Sequence, residues 1–585
     1  MRIKYLLSVL IILFTITDVI SQLGSTHYIP PVHSRTGISE AWIYVSTPLG
    51  APPTRPIDVT VSRPDGTIVG VRTIMRGTPA TIDVSASGLI LLNQNELSLV
   101  QNNRGLIVSS TDLIYVSLRL NVNNHAGYLT AKGEDALGTR FRLGSSELIN
   151  TGSTNNFFAS VMATENNTQV QFTHDAGVVF ENGAIPNPLF LNAGETITVS
   201  GYANGANNNT TGFIGALVES SLPVVVNSGN LNSNLPTVTF GSDMMLDQIV
   251  DESLVGFEYM LVRGRGNDVL ERPMVIATVP NTIISVNGIP QATLLLPGDY
   301  AYLDPLLFQP ATGSHRNMYV SSDPSTPFYM YQFLGGRSDA DPGPGFPDAT
   351  PGMIFVPPLS CFFQQEVHMI PNIDEMSPTA NGYQGNIAIT AFTGTAVSYN
   401  GGPTLTGALA NPATPDWVTY LVPNQTTGNA IITSDGPIAV GYIGTDTQSA
   451  GFGGYYSGFA VNPTDTDTEV CTLNGTVNLF DRIDGNPDPT AAMQEWEFVP
   501  ASGDPAIDLT PPPADGSNDG VWDPLNFDPL FDRIDGYYHY TAVGICEAVD
   551  IIVRVDLVDS PLLDALPDVF RCEGDSFTLA DPSTL

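Results

Sequence analysis

Along most of this chain, short runs alternate apolar with polar residues. Such a run, once extended, buries one face and wets the other. The clearest case lies between Arg272 and Gly288. Two β-branched stretches, Met274–Val279 and Thr282–Val286, flank Pro280-Asn281. Proline fixes φ and asparagine tolerates the left-handed region, so the pattern predicts a β-hairpin.

The same unit recurs as Arg55–Val61 before Pro64–Ile68, as Phe158–Thr164 before Asn166–Phe172, and as Ile387–Phe392 before Gly394–Gly401. The threonines opening the second strands, Thr67, Thr168, Thr282 and Thr395, are spaced by 101, 114 and 113 residues. A period near a hundred residues marks an array of β modules. Each copy has a strand ahead of the hairpin (Trp42–Thr47, Arg140–Leu143, Phe257–Arg263, Glu366–Ile370) and one behind it (Ala80–Ala86, Glu195–Ser200, Asp299–Asp304, Asp416–Val422). Each ends in two strands with a polar break, as in Tyr319–Ser322 before Phe328–Phe333. The predicted fold is all-β: four repeated modules of about 105 residues, as tandem or fused β-sandwiches. A closed β-propeller, each module giving two small sheets, is the alternative.

The boundaries read as 22–145, 146–250, 251–360 and 361–460. Acidic, Pro/Gly-rich Arg337–Gly352 reads as an exposed loop within the array. Residues 1–21 read as a signal peptide. Arg2 and Lys4 precede the apolar run Leu6–Ile16, and Val19 and Ser21 fit the small-residue cleavage rule before Gln22. A retained membrane anchor is the alternative; no later segment is long and apolar enough to span a bilayer.

Charge narrows the partners. The net charge is −38, from 59 acidic and 21 basic residues, and Lys4 and Lys132 are the only lysines. Such a field repels phosphate backbones, which excludes nucleic acid, and attracts cations. With 14% charged residues and 9% aromatics the chain is folded, and 55 glycines and 46 prolines suit short strands joined by tight turns.

Motifs for catalysis are absent. There is no H-E-x-x-H, C-x-x-C, Walker P-loop or G-x-S-x-G, and Gly264-Arg265-Gly266 lacks the third glycine of a dinucleotide loop. Paired carboxylates could serve a glycosidase, but among 59 acids chance pairs are expected. Two weaker signals stand out. Phe480–Gly485 recurs almost unchanged as Phe531–Gly536, so Asp481, Asp484, Asp532 and Asp535 could ligate Ca²⁺, as could Asp465, Asp467 and Glu469. Acidic turns before strands are the plainer reading. Gly451–Phe459 sets Phe452, Tyr455, Tyr456 and Phe459 on a glycine-rich stretch: a stacking platform for sugar or protein, or a strand whose aromatics face a sheet.

Several stretches carry a family resemblance. Gly241-Ser242-Asp243, Asp247–Val250 and Gly256–Tyr259 resemble the N-terminal domain of IgGFc-binding proteins. The hairpin Thr282–Gly288, the block Ser434–Val440 and the lead-in His27–Pro31 are similar to that family too, over roughly residues 23–460. The animal members carry cysteine-dense von Willebrand-type domains, for which this chain has no cysteine pattern. The bacterial members imply a large exported surface protein, with no catalytic residues to carry over.

Residues 461–560, from Thr466–Cys471 through Trp522 and Gly536–Val543 to Cys546 and Val549–Val555, resemble the Ig-like repeats of bacterial adhesins. Residues 561–585 look like the start of a further repeat. On that resemblance the array is followed by an Ig-like β-sandwich, and Cys471 and Cys546 lie where strands could meet across it. A disulfide there would stabilise the domain by roughly 4 kcal/mol. Cys361, in apolar Leu359–Phe363, and Cys572 are expected to be unpaired.

Together these readings describe a non-catalytic protein, secreted or at the bacterial cell surface, for adhesion or interaction. Its partner is an extracellular protein or glycan, with no cofactor beyond an optional Ca²⁺. The alternatives are a carbohydrate-binding or polysaccharide-degrading secreted protein, and a structural stalk.

Overall fold

In the computed structural model one central strand organises each module. The structure describes residues 22–33, 40–47, 56–75, 77–86, 88–122, 125–233, 235, 241–266, 269–336, 350–425, 428–445 and 450–459. Beyond these it describes 465–471, 477–478, 493–500, 507–508, 521–522, 536–543 and 548–558. The predicted signal 1–21, most of the predicted loop 337–352 and the segment 561–585 lie outside the described residues.

The central strand is continuous in the first two modules, Leu106–Val122 and Leu217–Ser233. It divides into Asn317–Ser321 and Phe328–Gly335 in the third, and into Ala430–Ser434 and Ile438–Thr445 in the fourth. Its first half pairs antiparallel with an opening strand: Gly24–Ile29, Gly138–Arg142, Glu258–Val262 or Glu366–Ile370. Its second half pairs with a closing strand: His125–Ala131, Asp243–Ile249, Pro351–Phe355 or Gly451–Tyr455. The expected polar break is a bend, not a gap, in the first two modules. The Ser110 hydroxyl donates to the Asp112 carbonyl, and the Ser220 hydroxyl to the Leu222 carbonyl at 2.8 Å, so the kink satisfies its own backbone while pairing continues. By pairing, Gly138–Arg142 belongs with the second module's central strand, ahead of the expected start at 146.

Two further strands flank the centre, and they correct the hairpin expectation. Pro273–Ala277 joins the sheet of the closing strand, whereas Thr282–Val286 joins the sheet of the opening strand. Both edges of each are already occupied, the first by Tyr300–Tyr302 and Phe328–Gly335, the second by Ile289–Leu294 and Asn317–Ser321. The connection is therefore an arch from one sheet to the other. Its geometry repeats: Asn167, Asn281 and Gly394 all have positive φ. The threonine after each donates its hydroxyl to the carbonyl three residues back (Glu165, Val279 and Phe392) at 2.8, 2.9 and 2.8 Å. Thr67 is out of step. It sits in a true hairpin between Ile57–Ser62 and Ile68–Ile74, one strand further along its module.

The chain is all-β, as predicted. The third and fourth modules each divide into two main sheets, whereas in the first two the continuous central strand holds seven strands in one bent sheet. A propeller is not indicated, and the contacts that join the modules run through their closing strands. His125–Ala131 packs on Asp243–Ile249, that strand on Pro351–Phe355, that on Gly451–Tyr455, and the last returns to His125–Ala131. Close approach explains the glycines. A Cβ on Gly352 would lie 2.0 Å from the Gly451 carbonyl oxygen, and one on Gly454 would lie 2.7 Å from Thr130 Cγ2. Pro351 and Gly352, read from sequence as the end of a loop, thus begin a closing strand.

The cores run across the joints. One cluster joins Val161 and Val226 of the second module to Tyr329 and Phe355 of the third. Another joins Leu118 of the first to Phe158 and Leu246 of the second, and a third joins Tyr128 of the first to Tyr442 of the fourth. Polar bridges accompany them. Arg119, fully buried, donates to the Pro371, Asn372 and Glu375 carbonyls at 2.5, 2.7 and 2.7 Å and lies 3.6 Å over the Tyr44 ring.

From Val461 onward the chain forms a second compact unit. Its described strands make a five-stranded sheet in which Thr466–Cys471 runs parallel to Ala548–Val558, and a two-stranded sheet of Val477–Asn478 with Val521–Trp522. No helix among the described residues is long and apolar enough to cross a membrane.

Candidate functional site

The joint of the first two modules carries a pocket of about 220 Å³, lined by Gln94, Val179, Phe180, Glu181, Tyr202 and asparagines 182, 204 and 207. Three segments build it. Gln94 opens the 3₁₀ turn Gln94–Glu96, held by a capping box between Asn93 and Glu96. Residues 179–182 lie between Thr168–Thr173 and Leu189–Leu191, and residues 202–207 follow Thr196–Gly201.

Asn209 ties the last two segments together. It accepts from Val179 N at 2.8 Å and donates to the Val179 and Tyr202 carbonyls at 2.7 and 3.0 Å. Gly201 permits that approach, since a Cβ there would lie 2.6 Å from the Val179 carbonyl oxygen. The first segment docks through Ser98, which donates to the Glu181 carbonyl at 2.5 Å, and Asn182, which donates to the Gln94 and Leu97 carbonyls at 2.5 and 3.2 Å.

Glu181 is buried, yet its carboxylate is well supplied. Oε1 accepts from Asn156 and Ser200 at 3.0 and 3.1 Å, and Oε2 from Gln94 at 3.1 Å. Phe180 is fixed edge-on among Phe157, Phe172, His174 and Phe213. Gln94 Oε1, Asn182 Oδ1, Asn204 Nδ2 and the Tyr202 hydroxyl have no hydrogen-bond partner among the described residues. An aromatic wall thus faces a mixed set of donors and acceptors, with the one carboxylate already stabilised from behind.

The sequence-predicted platform lies elsewhere and is closed. Phe452, Tyr455, Tyr456 and Phe459 are all buried, on or just after the closing strand Gly451–Tyr455. Phe452 packs against Tyr383 and Tyr442; Tyr456 bonds Tyr128 and, at 3.0 Å, Ser117; Phe459 stacks on Phe355. Packing the joints consumes these aromatics, so they cannot stack on a ligand.

Of the predicted calcium ligands, Asp465 accepts from Ile552 N at 2.9 Å. Asp467 and Glu469 fall in the strand Thr466–Cys471, their side chains outside the described set, and Asp481, Asp484, Asp532 and Asp535 lie outside the described residues. Among the described residues no cluster of three or more His, Cys, Asp or Glu could hold a metal ion. Cys361 corrects an expectation: it is disulfide-bonded. It is only half-buried, although Phe362 and Phe363 beside it are buried, so the apolar run does not shelter the sulfur fully. The Cys471 side chain, Cys546 and Cys572 lie outside the described set.

Sequence reasoning missed the pocket because its walls come from segments 87 residues apart, joined by Gln94 and Glu181. The one local hint was the run Asn207-Asn208-Asn209, too polar for a strand and too rich in amides for a plain turn.

Among solved structures, the chain is similar to Sidekick-1 immunoglobulin domains 1–5, at 10% identity over 92% of this chain and 100% of that one, TM-score 0.13. It is also similar to the N-terminal eight Ig domains of Down Syndrome Cell Adhesion Molecule isoform 1.30.30, at 8% identity over 92% and 71%, TM-score 0.10. A third, E. coli alpha-2-macroglobulin, gives 10% identity over 92% and 47%, TM-score 0.12. Likenesses this slight carry no argument. No curated protein matches. The family model for IgGFc binding protein matches residues 126–444, more than half of the sequence, and the chain belongs to that family.

Proposed function

We propose that this chain is an exported, non-catalytic surface protein that binds an extracellular protein or glycan through its β modules. The family match over residues 126–444 carries the reading, because it spans the second and third modules, most of the fourth, and the joints between them. The acidic balance and the absence of catalytic motifs in the sequence agree with it. The export signal and a bacterial cell-surface location are part of the same proposal.

The pocket at the first joint favours a second reading, recognition of a neutral saccharide. A sugar ring offers C–H faces to Tyr202 and Phe180, and hydroxyls that both donate and accept, which suits the unpartnered amides. At about 220 Å³ the pocket is smaller than the roughly 300 Å³ floor of drug-sized sites, which suits one sugar residue.

Surface plasmon resonance against immobilised immunoglobulin Fc and a glycan array, run on wild type and Tyr202→Ala, separate the two. Fc binding that survives the substitution supports the protein partner. Glycan binding that it abolishes supports the pocket. Silence in both assays overturns the reading.

A further inference from the structure

The backbone nitrogen of Gln22 lies 3.0 Å from Asp135 Oδ2, and both residues are buried, at 2% and 4% exposure. Asp135 belongs to the 3₁₀ turn Gly133–Ala136 that follows the first closing strand, and the opening strand Gly24–Ile29 packs on that turn. Among the described residues the Gln22 N–H is the one hydrogen bond to this carboxylate. A single amide is a weak complement to a charge taken out of water.

The groups facing Asp135 do not supply a free cation. Glu134 has the same sign. The Lys132 ammonium is engaged by Asp247 at 3.1 Å. His27, whose Cε1 comes within 3.5 Å of where a Gly133 Cβ would stand, is held neutral by burial, with its pKa lowered to about 4. Burial accordingly pushes the Asp135 carboxyl up to about 7.

The sequence places a cleavage site directly before Gln22. We propose that leader removal at the Ser21–Gln22 bond creates the missing cation. The new Gln22 α-ammonium pairs with Asp135 and locks the opening strand onto the turn after the first closing strand. In the cleavage, water adds across the amide and the C–N bond breaks. The carbonyl carbon takes the oxygen and leaves as the Ser21 carboxylate, while the protons pass to nitrogen and turn the Gln22 N–H into an ammonium. A leader peptidase of the export machinery is the enzyme class required. The inference rests on the export reading, and it adds that processing completes the first module.

Two preparations of the chain from Gln22 onward test the pair by itself. One is freed at Gln22 by a site-specific protease, and the other carries one extra glycine ahead of it. The free terminus is expected to melt a few degrees higher at pH 7, and the difference is expected to vanish in Asp135→Asn. Equal melting temperatures, or a difference that survives in Asp135→Asn, overturn the ion pair. So does a Gln22 terminus found cyclised with loss of ammonia. N-terminal sequencing of the exported protein tests the cleavage separately. Gln22 as first residue supports it; another first residue overturns the processing-coupled lock, and an unprocessed chain overturns the export reading as well.

Discussion

Lys132 Nζ lies 3.1 Å from Asp247 Oδ1, with neither side chain exposed to solvent. The pair bridges the first and second modules at the end of the first closing strand, and Phe355 N of the third donates to Asp247 Oδ2 at 3.0 Å. Lys132 also sits 5.4 Å from the Phe459 ring. Four parts of the array thus meet around one charge pair, in a chain with only one other lysine, Lys4.

Removing one partner strands the other. Lys132→Met is expected to cost about 3–5 kcal/mol, because it leaves the Asp247 carboxylate buried and uncompensated. Burial raises the Asp247 pKa, so the variant tolerates this best with the carboxyl protonated. Its stability should therefore fall as pH rises, more steeply than wild type. Urea denaturation at pH 5 and pH 8 checks this; a loss independent of pH would mean lost packing alone.

Arg119 fixes the joint between the first and fourth modules by geometry more than by charge. Its fork spans three carbonyls while its plane lies on Tyr44, an arrangement a lysine cannot copy. Arg119→Lys is expected to destabilise by about 2–3 kcal/mol. Hydrogen exchange should rise first in residues 371–375, whose carbonyls lose their donors, while the third module stays protected.

At the arch, Asn281 holds φ at +60° and the Thr282 hydroxyl bonds the Val279 carbonyl at 2.9 Å. Asn281→Gly should be nearly neutral, whereas Asn281→Val should cost about 1–3 kcal/mol, since a β-branched residue resists that region. Thr282→Val keeps the shape and loses the bond, at about 1 kcal/mol. Chemical denaturation of the three variants gives the ranking, and a destabilised Asn281→Gly would contradict the account.

Much of this was legible in the sequence. Alternation located the strands because it is a local property, and the threonine spacing marked equivalent positions in three of the four repeats, with Thr67 one strand out of step. Strand partners were not legible: Pro273–Ala277 and Thr282–Val286 look like a hairpin until one sees that other strands already occupy their edges. The glycines of 451–454 left a stacking platform and a sheet-facing strand both open, because their cause, neighbouring strands at van der Waals limits, lies outside the segment. The pocket failed for the same reason, since Gln94 meets Glu181 only once two modules dock.

His27 sets an acid limit on the opening strand. Its Nε2 lies 3.1 and 3.0 Å from the Gly24 and Ile114 carbonyls, so a neutral ring with its proton on Nε2 serves both. Burial is the larger effect and lowers its pKa from 6.5 to about 4, against the raising influence of those carbonyls. The unfolded chain then binds a proton below pH 6.5 that the folded chain refuses until about pH 4. Stability contributed by the neutral ring is whole above pH 6.5 and declines as pH falls through that window, by about 3 kcal/mol in all. Asp135 acts in the opposite sense between its unfolded pKa of 3.8 and about 7, so wild type alone would show a blunted slope. The comparison that isolates His27 is Asp135→Asn against Asp135→Asn/His27→Gln, with urea midpoints taken from pH 7.5 to 4.5. The histidine-containing chain should lose stability across that range relative to the double variant, which is weaker at pH 7.5 but keeps every other titrating group. Parallel slopes would show that His27 is not the group that titrates.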